Sequence, residues 1–245
     1  MQWDWQVFCN STISGEATAS CFGSSGDVTY LQWMLSAWGW TIAVSMLALL
    51  IAMLFGLTVG VLRTLPSRVL SVGAACWTEL FRNIPVLVQV FLWYHVLPAL
   101  LPALKSVSSF YLAAIALGLF TSARIAEQVR AGVQSLPAGQ KQAATALGLT
   151  TWQSYRTVIL PQALRIVLPA LTSEVMNIVK NSSVAFAVSV TELTLFAMQA
   201  QEETSRGMEI YAGVTVLYVI TALSVNRLMA LIEARTRVSG LIVVT

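Results

Sequence analysis

The chain has 245 residues, 57% hydrophobic and 10% charged, with a formal net charge of +3 and a mean hydropathy of +0.74. Soluble domains carry about 25% charged residues, so this composition excludes a water-soluble fold and predicts an all-α polytopic protein of a lipid bilayer. The small positive charge gives no reason to expect a nucleic-acid partner, and one His with three scattered Cys offers no set of metal ligands.

In chain order, residues 1–32 read as an extracytoplasmic N-terminal segment. It is polar, carries Asp4, Glu16 and Asp27 without any Lys or Arg, and lacks the positive and apolar regions of a signal peptide. Trp3, Trp5 and Phe8 suit a membrane surface, where aromatic rings settle. If the segment faces an oxidising compartment, Cys9 and Cys21 can close a short loop as a disulfide; two unpaired thiols in a flexible tail are the alternative.

A transmembrane domain, 33–235, follows. A helix needs roughly 20 mainly apolar residues to cross the hydrocarbon core, and five spans fit, at about 35–62, 70–101, 108–133, 163–190 and 209–232. Asn83-Ile84-Pro85 interrupts the second, which is therefore expected to begin as a surface helix. Gly56 and Gly60 form a small-x-x-x-small pair that packs helices. His95, beside Trp93 and Tyr94, reads as interfacial.

Charge orients the spans. Arg63 and Arg68 follow span one, Lys141 and Arg156 (flanked by Arg130 and Arg165) follow span three, and Arg227, Arg235 and Arg237 lie at the C-terminal end. On the other side lie the acidic N-terminus, Lys105 and a stretch with Glu192, Glu202, Glu203, Arg206 and Glu209. This alternation puts the N-terminus outside and the tail, 236–245, in the cytoplasm.

Between spans three and four, about 136–161, the apolar pattern breaks. Gln140 to Leu147 reads as an Ala-rich helix ended by Gly148. A second short helix starts behind Thr150 or Thr151 and runs into Pro161.

Charges inside spans are costly and mark partners or wet cavities. Arg124 and Glu127 are three apart, the spacing of a pair on one helical face. Glu174, Asn177, Lys180 and Asn181 read as one polar stripe on span four. Glu79 and Arg82 read as glue between helices.

Four segments carry a family resemblance. Gln142-Ala143-Ala144, Gly148 and Val158-Ile159-Leu160-Pro161 resemble the EAA-Gly-I-x-L-P signature of ABC-importer permeases, with Gln142 in place of Glu and Val158 in place of Ile. Glu79, Arg82, Pro85 and Gln89 resemble the E-x-x-R-x-x-P-x-x-x-Q segment of the polar-amino-acid branch. So do Ala126-Glu127, Arg130, Gly132 and Ser135, and the run Glu174 to Ser183. Within that branch the wording is most similar to glutamate/aspartate permease subunits.

The resemblance implies a five-span type I importer permease in a bacterial inner membrane. A coupling helix at about 138–150 would engage an ATPase through Lys141, Gln142, Ala143, Ala144, Leu147 and Gly148, with Leu160 and Pro161 beyond it. The implied partners are a second permease subunit (a paralogue, hence a heterodimer), two ATP-binding-cassette ATPases and a periplasmic amino-acid-binding protein. No G-x-x-x-x-G-K-[ST] occurs, so ATP and Mg belong to the ATPase and this chain binds no cofactor and is no enzyme.

Arg124, Glu127, Glu174, Asn177, Lys180 and Asn181 become the candidate substrate-binding residues. Basic-amino-acid relatives often have Asp where Asn181 stands, and many relatives have an aromatic residue in place of Arg124. Both changes favour an acidic amino acid; other polar or basic amino acids are the alternative. An ion-coupled secondary transporter is disfavoured because no internal repeat is seen.

Overall fold

The computed structural model describes residues 3–18, 20–22 and 27–236; Arg237 and the rest of the expected tail lie outside them. The helices are α1 (Tyr30–Leu62), α2 (Arg68–Asn83), α3 (Val86–Phe91), α4 (Leu97–Leu100), α5 (Ser109–Gln134), α6 (Ala138–Ala146), α7 (Thr151–Ser154), α8 (Leu160–Asn181), α9 (Leu193–Thr204) and α10 (Gly207–Thr236). Four stretches are long and apolar enough to cross a membrane: Tyr30–Leu62, Ser109–Gln134, Thr151–Val188 and Gly207–Arg235. The pair Arg68–Asn83 and Val86–Leu100 makes a fifth if read as one broken span. Five spans are thus accommodated, with all-helical architecture.

Span four begins earlier than the sequence suggests. Thr150 caps α7 in a reciprocal box: its hydroxyl accepts from the Gln153 N–H, and Gln153 Oε1 accepts from the Thr150 N–H at 2.9 Å. The helix then passes through a π-helical stretch, Tyr155–Ile159, straight into α8. The second short helix is therefore not a separate element, and Pro161 does not end it. Proline breaks a regular helix by removing an i→i−4 bond; here the ladder has already been re-spaced in the preceding turn, as π-bulges do.

The chain divides into two compact units. The first comprises Met1–Ala48, Pro85–Leu117 and Ile178–Leu223. Its main core gathers Val7, Phe8, Tyr30, Met34, Leu193, Phe196, Ile210 and Val214. The Cys9–Cys21 disulfide is formed, which closes the N-terminal segment into a loop beside α10. Phe8 lies so close to Gly213 that a β-carbon there would stand 2.7 Å from its ring. Trp3 stacks on Trp5 at 5.4 Å, and both are exposed.

Glu192, between the spans that end at Val188 and begin at Gly207, is fully buried. Its carboxylate accepts from the N–H groups of Thr194 and Leu195 at 2.8 and 3.0 Å and from the Tyr218 hydroxyl at 3.1 Å. Burial pushes its pKa up to about 7 from an ordinary 4.5, against the lowering effect of those donors. Between those two values the folded protein holds a proton that the unfolded chain has released. The stability this contributes is full below pH 4.5 and is lost as pH rises to about 7. Each tenfold change in proton affinity is worth about 1.4 kcal/mol, so about 3 kcal/mol is at stake. Thermal melts of Glu192→Gln and the parent should therefore diverge as pH is raised from about 5 to about 7.5, the parent losing stability and the variant not. Parallel curves would refute this.

The second unit comprises Leu49–Ile84, Gly118–Asn177 and Ser224–Thr245. Here α1 and α5 pack almost backbone to backbone. A β-carbon on Gly56 would stand 2.6 Å from Ile125 Cβ, and one on Gly60 2.6 Å from Val129 Cβ. The glycine pair is a helix-packing seam, as its spacing suggests.

The start of the second span, expected as a surface helix, packs against α1 and α5. Ser71 Oγ donates to the Arg63 carbonyl at 3.1 Å. Ala74 joins a cluster with Val59 and Ala126. Trp77 stacks on Phe55 at 5.7 Å and donates to Ser122 Oγ at 3.4 Å. Successive turns of α2 thus step along α1 and α5, from the Leu62 end toward the middle of α5. α2 meets Val86–Leu100 at a bend of 103°, as in a broken span or a re-entrant loop. It stops at Asn83 because Ile84 and Pro85 are both extended, and the residue before a proline is held out of the helical region.

Candidate functional site

Two charged clusters lie in the second unit. In the first, Arg124 Nε and Nη2 donate to Glu174 Oε2 and Oε1 at 2.8 and 3.1 Å, a bidentate fork. Gln128 Nε2 adds a third bond to Glu174 Oε1 at 2.9 Å. The Glu174 side chain is 4% exposed and that of Arg124 43%. The carboxylate is therefore a buried anchor, and the guanidinium presents its opposite edge outward. Nη1 has no partner among the described residues. The pairing of Arg124 with Glu127 expected from their spacing does not form, because Glu174 offers Arg124 two oxygens in a buried site.

In the second cluster, Glu127 is held by Arg63 and by Arg130, and Arg130 Nη1 donates to Gln134 Oε1 at 2.6 Å. With both oxygens engaged, Glu127 ties the Leu62 end of α1 to α5.

On α8, Asn177 and Asn181 are half-buried and Lys180 is exposed. At about 100° per residue, Asn177 and Asn181 stay on the Glu174 face while Lys180 stands about 120° round from it. The polar stripe is thus Glu174, Asn177 and Asn181, with Lys180 beyond its edge. Glu79 and Arg82 pair with each other along α2. Sequence reasoning misses Gln128 and Arg63 as site residues. Gln128, four residues after Arg124, shares its face and is legible from spacing; Arg63 enters the sequence reading through topology alone.

The segment expected to couple to an ATPase has a defined end. Gly148 takes φ +75°, its N–H reaches the Thr145 carbonyl at 2.9 Å, and the Leu149 N–H reaches that of Ala144 at 3.1 Å. This is the paired-bond Schellman stop, which needs the left-handed residue glycine supplies. Lys141, Gln142, Ala143, Leu147 and Pro161 are exposed and Leu160 is half-buried. Leu147 is 80% exposed and Trp152 70%. Ala144 is 2% exposed and faces inward, so it supports α6 and is no part of its outer surface. A shallow depression of about 550 Å³ along the outer face is lined by Ala138, Lys141, Gln142, Thr145 and Ala146.

These features agree with what is found among known proteins. The family described as binding-protein-dependent transport system inner membrane component matches residues 52–238. The glutamate/aspartate import permease protein GltJ of Escherichia coli K12 is 39% identical over 98% of this chain and 97% of its own. The glutamate/aspartate import permease protein GltK of Escherichia coli O6:H1 is 29% identical over 88% of this chain and 98% of its own. A crystal structure of an amino acid ABC transporter with histidines superposes with a TM-score of 0.72 at 31% identity, covering 84% of this chain and 95% of that one. The chain belongs to the binding-protein-dependent transport system inner membrane components and is an amino-acid permease of the ATP-binding-cassette importer type.

Proposed function

We propose that this permease imports acidic amino acids, glutamate and aspartate, delivered by an extracytoplasmic binding protein. The observation that carries this reading is the outward edge of Arg124, anchored from behind by Glu174. A charged group inside a span costs roughly 2.5–3.5 kcal/mol on insertion scales, so an Arg left half open there needs an anionic visitor or water. A carboxylate fits a guanidinium edge in bidentate fashion. Asn177 supplies a neutral hydrogen-bonding group near the Glu174 face, and the Glu174 carboxylate is already taken by Arg124 and Gln128. The likeness to GltJ and GltK supports the same substrate class.

In this reading the chain pairs with a paralogous permease, and each permease seats α6 on one ATPase subunit. Two similar proteins named for the same substrates, GltJ and GltK, favour a mixed pair. The basic residues Arg63, Arg130, Lys141, Arg156 and Arg165 favour a cytoplasmic α6 end, with the N-terminus periplasmic and the C-terminus inside. ATP-driven closure of the ATPases then drags α6, and the helices behind it move with it. Arg124 and Asn177 meet the substrate, with Glu174 behind Arg124; Glu127, with both oxygens engaged, holds the helix ends together.

Uptake by the assembled transporter in proteoliposomes tests the substrate. Radiolabelled aspartate should accumulate with ATP and be displaced by glutamate at similar concentrations, with histidine, glutamine and arginine at least tenfold weaker. Arginine or histidine competing as well as glutamate would refute the acidic assignment.

A further inference from the structure

The broken second span carries an ion pair that the site above does not use. On α2, Arg82 Nη2 donates to both oxygens of Glu79 at 2.8 and 3.0 Å. Asn83 Nδ2 donates to Glu79 Oε2 at 3.0 Å and to its carbonyl at 2.8 Å. The Arg82 and Glu79 side chains are 42% and 50% exposed.

Their depth follows from the packing of the second unit. Trp77 bonds to Ser122, which stands midway along α5. Glu79 and Arg82 come two and five residues later, so they lie only about 3 and 8 Å further along α2. With the middle of α5 taken as the middle of the bilayer and α2 running along α1, that falls inside a hydrocarbon core about 30 Å thick, just before the 103° bend at Ile84-Pro85. Lipid tails cannot solvate such a pair, and charged groups at this depth face a wet cavity or protein. The helix also ends here, at Asn83. Non-helical backbone at membrane depth is tolerated where it lines water or is covered by protein, and broken helices of this kind carry substrate sites in other transporters.

We propose that Glu79, Arg82 and Asn83 form a polar station on the water-filled path, where the Glu79 carboxylate takes the α-ammonium and the Arg82 guanidinium the α-carboxylate of the amino-acid zwitterion. This rests on the reading of the chain as an amino-acid importer. One anion and one cation in contact are the complement of a zwitterion, and they are neutral overall, so the station is emptied by re-forming its own pair. It recognises the backbone common to amino acids, while Arg124 reads the side chain. Trp77, stacked on Phe55 and tilted against Phe81, holds α2 from behind.

Cys76 makes the test possible without altering the station. It is exposed, one turn before Glu79 on the same face, and Cys9 and Cys21 are bridged. The assembled transporter, with cysteines of its other subunits replaced, is placed in lipid nanodiscs and treated with a charged, membrane-impermeant methanethiosulfonate. Cys76 should label within minutes, and saturating aspartate should slow it at least tenfold. A thiol that stays unlabelled, or labels only with a lipid-soluble maleimide, faces lipid or a subunit and overturns the proposal, as does labelling indifferent to aspartate. In parallel, Glu79→Gln and Arg82→Gln should each raise KM for aspartate at least tenfold without changing co-purification with the ATPase. Unchanged KM in both overturns it. If the parent complex transports no amino acid at all, the importer reading itself fails, whatever Cys76 does.

Discussion

Replacing Arg124 with alanine is expected to lower aspartate uptake at least 100-fold and to lower the yield of folded protein as well. The second effect has a separate cause: Glu174 would be left buried with only Gln128 to hold it, and removing one partner of a buried pair costs about 3–5 kcal/mol. The double variant Arg124→Ala/Glu174→Gln removes the stranded charge, so it should recover yield while transport stays lost. That divergence separates substrate recognition from stability. Recovery of uptake along with yield would remove Arg124 from the substrate site.

Substituting leucine for Gly60 should abolish assembly. A β-carbon there meets Val129 Cβ at 2.6 Å and the Ala126 carbonyl at 2.9 Å, neither of which is a flexible chain end. α1 and α5 would have to separate, and overpacking a tight seam costs roughly 1–3 kcal/mol or more. Separation would also pull Arg63 from Glu127, which bridge the same two helices. Little or no monodisperse complex should survive detergent extraction. Gly39→Leu is the control, because nothing lies within 4 Å of a β-carbon there and normal yield is expected. Equal yields for both variants would mean that the seam does not hold the unit together.

Much of this architecture is legible in the sequence because apolar length is a local property. The long helices α1, α5 and α10 follow from it directly, and so does the capped, glycine-ended α6, whose stop is written in Gly148. What the sequence hides is competition between distant residues. Arg124 and Glu127 have the spacing of a pair, but Glu174, fifty residues away, outcompetes Glu127, and two other guanidiniums claim the latter. Pro161 reads as a terminator because a proline normally removes a helical bond; the π-helical turn before it has already absorbed that loss. α2 reads as a surface helix because Asn83-Ile84-Pro85 interrupts the second span. In the fold its apolar rungs climb α1 and α5, and its polar face ends at a break within the span. The Cys9–Cys21 bridge cannot be decided from spacing alone and is settled by the fold of residues 3–18 and 20–22.

The capped helix α6 is, on this account, the lever by which a separate ATPase moves the permease. The most direct test places a single cysteine at Leu147, 80% exposed at that helix's end, in the complete transporter. An oxidative cross-link to a cysteine in the surface groove of the ATPase should form in high yield and stop aspartate-stimulated ATP hydrolysis, with reduction restoring it. A Leu147 cysteine that forms no cross-link and is modified by an impermeant reagent from the periplasmic side of intact cells would contradict the account.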